Sequence, residues 1–150
     1  LSSASLLGVR ETRHFHGRYT LTREDILEKR VFEDWIVRDA CFNFDVHNID
    51  GAGLDKTGVQ KHFPKNNSYT IPYRCLLPQN VEGLLLAGRD ISGSHMAHSN
   101  YRAMPICVAM GEAAGIAAAL ASRANIPVSA APVGEIQRIL RGGAAEQAGT

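Results

Sequence analysis

Leu84-Leu85-Leu86-Ala87 is a short, unbroken apolar run that stops at Gly88-Arg89-Asp90, and no other stretch of the chain constrains the fold as much. Continuous rather than alternating hydrophobicity is what a parallel strand buried on both faces requires. A polar loop rich in glycine and serine follows to about Asn100, and Pro105 to about Arg123 then reads as one long helix. Strand, loop and helix in that order predict an α/β fold.

The long helix has two informative features. Gly111, Gly115 and Ala118 fall at roughly i, i+4 and i+7, with Ala114 and Ala119 beside them. Each glycine costs a helix interior about 1 kcal/mol relative to alanine. Close packing of this low-bulk stripe against a sheet or another helix is the expected compensation. Pro105 suits the first helical position, which makes Met104 the N-cap. Methionine has no capping oxygen, so the amides of Ile106 and Cys107 are left to water or to a ligand held at the positive end of the helix. The segment Ala103–Ala121 contains a G-x-x-x-G, but Glu112 at its middle and a length near the lower limit argue against a membrane span.

Upstream the pattern is less regular. Arg13–Leu21 alternates enough to predict a strand with one polar face, and Thr22-Arg23-Glu24-Asp25 resembles a capping box opening a short helix through about Lys29. Val31–Val37 fits helix and strand equally. Cys41–Ile49 sets Phe42, Phe44 and Val46 against Asn43, Asp45 and His47, a strand pattern. Asp50–Gly53 reads as a turn and Lys56–Ser68 as a loop. Tyr69–Leu77 reads as a strand that Pro72 confines to an edge or an irregular position, with another turn at Pro78–Gly83. Pro127 and Pro132 break the chain before a last amphipathic helix, Val133–Arg141.

The chain has 150 residues and a formal net charge of +1, which gives no field arguing for nucleic acid or an anionic membrane as partner. Cys41, Cys75 and Cys107 are odd in number and never paired as C-x-x-C, so they read as reduced, mostly buried thiols. The chain opens at Leu1 inside sequence that already reads as structured, and a fragment is expected. A secretory signal would have been removed upstream, so cytoplasmic and exported locations both stay open.

Four stretches in register resemble the C-terminal region of the FAD-dependent oxidoreductase family. They are GVRETRHFHGRYTLTREDI at 8–26, FDVHNIDG at 44–51, YTIPYRCLLP at 69–78 and VEGLLLAGRDISGSHMAHSNYRAMPICVAMGEAAGIAAAL at 81–120, and the tail from Ile126 to Arg141 resembles that family's closing helix. The resemblance implies the end of a Rossmann-type FAD-binding domain plus strands of a mixed α+β substrate domain. Residues 1–78 would belong to the substrate domain, 79–125 to the FAD-binding strand, loop and helix, and 126–150 to a closing helix and tail. It implies FAD as the cofactor of the full-length parent, with Gly88, Arg89 and Asp90 beside its ribityl and pyrophosphate portion. Met104, Pro105, Ile106 and Cys107 would form the helix start aimed at the flavin. The G-x-G-x-x-G turn that grips the dinucleotide in that family is missing: Gly51-Ala52-Gly53 is followed by Lys56 where the third glycine belongs.

Under that resemblance His95 and Arg102 are the leading catalytic pair. His95 is read as a proton acceptor or a hydrogen-bonded loop histidine, and Arg102 as a clamp for a substrate carboxylate or charge near the ring, or as a loop salt bridge. His47, with Asp45 on the same strand face, and Arg13, with Arg10 and Arg18, are read as lining the substrate cavity or, respectively, as turn and strand-end bonding groups and a solvated sheet face. A small-molecule substrate and the rest of the parent chain are the expected partners. The truncated strand at 84–87 predicts self-association or rearrangement to hide apolar surface. His95 and His98 have an i, i+3 spacing with no third ligand, so no metal is expected. Cys107, near a helix start, is expected to have a lowered thiol pKa. The competing reading is a non-catalytic α/β interaction or carbohydrate-associated module whose alanine-rich helix is simply core.

Overall fold

Thr22 and Asp25 start the first helix by capping each other. The Thr22 hydroxyl accepts from the Asp25 amide at 3.2 Å and an Asp25 carboxylate oxygen accepts from the Thr22 amide at 2.9 Å, so two otherwise orphaned donors are paired. In this computed structural model, which describes residues 9–46 and 67–147, helix α1 spans Arg23–Leu27. It stops short of Lys29 because Lys29 itself turns left-handed, at φ 56°.

Two strands follow, and they pair antiparallel. Strand β1 (Trp35–Ala40) lies against β2 (Tyr69–Pro72) with Trp35 opposite Pro72, Val37 opposite Ile71 and Ala40 opposite Tyr69. The register slips twice, and Asp39 sits at φ 55°. The ambiguous stretch at 31–37 thus becomes strand only from Trp35 onward. Pro72 ends β2, and the expected strand through Leu77 instead tightens into a 3-10 turn at Tyr73–Cys75.

Three other strand expectations are corrected. Residues 13–21 are irregular, and their ladder pairing is limited to isolated bridges of Gly17 with Pro78 and Leu21 with Gly93. Gly17 is pressed so close that an added Cβ would lie 2.6 Å from the Ser92 Cβ, an approach no other residue allows without a shift. Residues 41–46 are also irregular, although Phe44 and Val46 are buried; His47 and the turn expected at 50–53 lie outside the described residues, as do residues 56–66 of the loop. Residues 84–87 form no strand. The Leu86 amide donates to the Leu76 carbonyl at 2.8 Å and Leu86 is buried, while Leu84 stays exposed. Among the described residues the only sheet is this antiparallel pair, so the architecture is mixed α/β without the expected parallel strand.

Helix α2 (His95–Tyr101) is capped by Ser94, whose hydroxyl accepts from the Ala97 amide. Helix α3 (Met104–Ala124) packs on β1 and on α4 (Val133–Gln147). Its buried line is Ile106, Met110, Ala113, Ala117 and Ala121, which joins Ile36, Ile71 and Ile136 in the core. The glycine stripe lies on the other side: among the described residues nothing comes within 4 Å of a Cβ built on Gly111 or Gly115. The close packing expected there is therefore not made by these residues; alanines one ridge away make it instead. By length and apolarity α3 passes as a membrane span, a test that core helices also pass. Helix α4 is fastened to the sheet by Gln137, whose side-chain amide donates to the carbonyls of Glu33 at 2.8 Å and Trp35 at 3.0 Å.

Candidate functional site

Gly88–Asp90 forms a 3-10 turn that packs on the first turns of α3. Gly88 has φ 62°, a conformation that favours glycine, and its missing Cβ would sit 3.7 Å from the Cys107 Cβ. Between turn and helix opens a cavity of about 590 Å³. One wall is Ala87 to Asp90; another is Arg102, Ala103, Met104 and Cys107; Arg10, Phe42 and Asp45 close the third side. That volume is within the roughly 300–1,000 Å³ common for small-molecule sites.

The helix start differs from expectation by one residue. Ala103, not Met104, is the N-cap, and Pro105 is the second helical residue. The Cys107 amide is not orphaned, because it donates to the Ala103 carbonyl at 3.0 Å. Ala103 has no side-chain oxygen, so no side chain caps the helix and the Ile106 amide has no side-chain acceptor there.

Charge lines the cavity unevenly, with three guanidinium groups (Arg10, Arg89, Arg102) against the carboxylates of Asp45 and Asp90. Arg102 ends α2 with its side chain only 11% exposed. One Nη donates to the Asp45 carbonyl at 2.6 Å and lies 3.4 Å from its carboxylate. Arg10 approaches the same carboxylate at 3.9 Å, and Arg89 donates to the Val9 carbonyl at 3.2 Å. The Cys107 thiol contacts the Tyr101 carbonyl at 3.7 Å. Burial pushes its pKa up, with Asp90 adding to the rise and Arg89 opposing it, so the lowered value expected from the helix start is not found. Cys75 is buried, but Cys41 is exposed, contrary to the reading of the thiols as mostly core.

Of the residues singled out from sequence, Gly88, Arg89, Asp90, Met104, Cys107 and Arg102 meet at this cavity. Ile106 turns into the core and Pro105 stays on the surface. Arg13 lines a smaller cavity of about 110 Å³, which shares Arg10, Arg89 and Asp90 with the larger one. His95 lines neither. It stands at the start of α2, with Nδ1 2.8 and 2.9 Å from the two Glu11 carboxylate oxygens. Among the described residues no group of three or more His, Cys, Asp or Glu is arranged to hold a metal.

Sequence reasoning missed Glu11, His14 and the buried His98 as a group. One signal was available: between Arg10 and Arg18, Glu11 is the lone acid among Arg10, Arg13, His14, His16 and Arg18. An acid so placed suggests a hub for cations, but its partners on α2 are more than eighty positions away.

Compared with known families, residues 2–140 match the model of the FAD dependent oxidoreductase family. No curated protein and no solved structure matches the chain.

Proposed function

The chain belongs to the FAD-dependent oxidoreductase family, and on that premise we propose that its 590 Å³ cavity is one wall of the flavin site of a flavin-dependent oxidoreductase. The observation that carries this reading is the meeting of the Gly88–Asp90 turn with the start of α3 around one open volume. The residues fit the group. Gly88 leaves out a Cβ at the cavity wall, Ala87 and Ala103 keep it shallow, and the uncapped helix start offers its positive end to an anionic ring or phosphate.

FAD, when bound, supplies hydride acceptance. This chain's residues would hold and surround it. Gly88, Arg89 and Asp90 would flank the ribityl and pyrophosphate portion, with Met104 and Cys107 at the ring and Pro105 and Ile106 contributing the backbone of the helix start. Arg102, oriented by Asp45, would present fixed positive charge to the cavity. His95, outside the cavity wall, would manage the accompanying proton only through its bond to Glu11. In this reading residues 1–78 serve the substrate side, 79–125 the flavin side and 126–150 the closing helix, with His47 and Arg13 toward a small-molecule substrate. The sequence contains no G-x-G-x-x-G, so the rest of the parent chain would supply the grip on the dinucleotide and the chain alone would bind FAD weakly.

The test is an FAD titration read by flavin fluorescence and visible absorbance, on the chain and on the full-length parent. Binding that weakens in Arg102→Ala and in Met104→Asp, which puts a carboxylate at the helix start, supports the assignment. A parent that binds no flavin overturns it and leaves a non-catalytic module.

A further inference from the structure

Glu11 lies in the irregular stretch before Gly17 yet gathers three histidines. Its Oε1 is 2.6 Å from His14 Nε2 and 2.8 Å from His95 Nδ1, and its Oε2 is 3.6 Å from His98 Nδ1. The other nitrogen of His14, Nδ1, is 2.8 Å from the Gly93 carbonyl. A carbonyl only accepts, so that nitrogen carries a hydrogen. Nε2 faces a carboxyl group at hydrogen-bond distance, so a second hydrogen lies between them, on the ring or on the acid. Either way the Glu11–His14 pair holds one proton more than a carboxylate and a neutral imidazole.

The geometry points to the Glu11–His14 pair as a proton store, with His98 as its inner outlet toward the cavities and His95 as its outer outlet toward solvent. His98 is 3% exposed, and its Nδ1 has no hydrogen-bond partner among the described residues. It lines the small cavity together with Glu11, Arg89 and Asp90. Ring contacts with His14 at 5.7 Å and Tyr101 at 5.4 Å hold it there. His95 is 61% exposed, and its Nδ1 bond to Glu11 leaves Nε2 for water. In the inner transfer the His14 Nε2–H bond breaks as an O–H forms on the Glu11 carboxyl. The carboxyl O–H breaks as a new N–H forms on His98 Nδ1, leaving Glu11 a carboxylate and His14 neutral; no electrons move.

The charges around the cluster set its direction. Burial pushes the Glu11 carboxyl up, but hydrogen bonds from His95 and His14 and the charges of His95 and His98 outweigh it, so the net shift is downward. Glu11 therefore rests as a carboxylate. Burial lowers the pKa of His98 against the pull of Glu11, helped by Arg102, His14 and His95, so His98 rests neutral and ready to accept. Arg10, Arg13, Arg89 and Asp90 face the same small cavity from the N-terminal segment and the 3-10 turn. That the store serves a redox site rests on the flavin reading; that it exists rests on the hydrogen bonds alone.

Long-range ¹H–¹⁵N spectra of the full chain with ¹⁵N-labelled histidine test the store directly. At pH 7 both His14 ring nitrogens are expected to give protonated-type shifts, and in Glu11→Gln one is expected to become unprotonated, with recovery in Glu11→Asp. An ionised Glu11 beside a neutral His14 ring in the unmutated chain overturns the proposal without any variant having to fold. With FAD as the probe on the full-length parent, photoreduction followed by a pH indicator is expected to give different proton counts for the unmutated protein and Glu11→Gln. Equal counts from pH 6 to 9 overturn the link to the flavin while leaving flavin binding intact. Failure to bind FAD overturns that link together with the flavin reading, and the histidine spectra then judge the store by themselves.

Discussion

Asp25 is 2% exposed and collects donors from four groups: the Tyr19 hydroxyl at 2.9 Å, the Thr22 amide and hydroxyl at 2.9 and 2.8 Å, and Arg30 at 2.8 Å. Burial raises its pKa, but these bonds together prevail and hold it below the usual carboxylate value. A depressed folded pKa contributes stability that is fully present above the unfolded value near 3.9 and is lost as pH falls through the folded one. Asp25→Asn is therefore expected to lower unfolding stability at pH 7 by about 1–3 kcal/mol, and the urea midpoints of the two chains should converge toward pH 2. Convergence already at pH 6 would contradict this. Asn100, fully buried, accepts from the Tyr69 hydroxyl at 2.7 Å and donates to the Phe42 carbonyl at 2.5 Å. Asn100→Ala strands both partners and should cost about 1–3 kcal/mol for each group left unsatisfied, seen as a fall in thermal midpoint. Tyr69→Phe combined with Asn100→Leu removes the hydroxyl and the amide together and should recover part of that loss.

At the scale of elements, α3 separates what sequence tells from what it does not. Its existence is local: alanine content, Pro105 near the start and Asn125 in a left-handed cap at the end all act within a turn or two. Its orientation is not local. The buried line Ala113, Ala117, Ala121 and the exposed line Gly111, Gly115, Ala118 are both small, so bulk alone does not say which one meets the sheet. Gly111→Ala should then stabilise the chain by about 1 kcal/mol, since the helix gains propensity and no described atom is displaced. Ala117→Leu should destabilise it by about 1–3 kcal/mol through overpacking. Reversed signs in chemical denaturation would return the glycine stripe to the core. α1 was legible for the same local reason, through Thr22 and Asp25. β1 was not, because Ile36 and Val37 are both buried and two register slips with a left-handed Asp39 erase the period of two. The cavity was half legible: the Gly88 turn and the start of α3 are close in sequence, whereas Arg10, Asp45 and Glu11 arrive by long-range contacts that no spacing rule carries.

For the molecule as a whole, the apolar run at 84–87 is covered in part, with Leu86 buried and tied to Leu76. Val81, Leu84, Val108 and Met104, the last 81% exposed, remain in water. Met104, Val108, Gly111 and Gly115 recur at i, i+4, i+7 and i+11, a single helical ridge. The chain is expected to self-associate through it, with sedimentation velocity showing concentration-dependent species that Val108→Lys suppresses. A monodisperse monomer at all concentrations would refute this.

The Gln137 side chain bears on a different property. Asp34, in the turn just before β1, gives its carbonyl to the Tyr73 amide. The carbonyls of Glu33 in that turn and of Trp35, the first residue of β1, accept from Gln137 at the start of an edge where a foreign strand would dock. By occupying both, the glutamine acts as a plug against strand addition. A chain cleaved ahead of α4, or carrying Gln137→Ala, would present an open hydrogen-bonding edge. Such a chain is expected to template fibril growth, read by thioflavin fluorescence, and not merely to be a less stable copy.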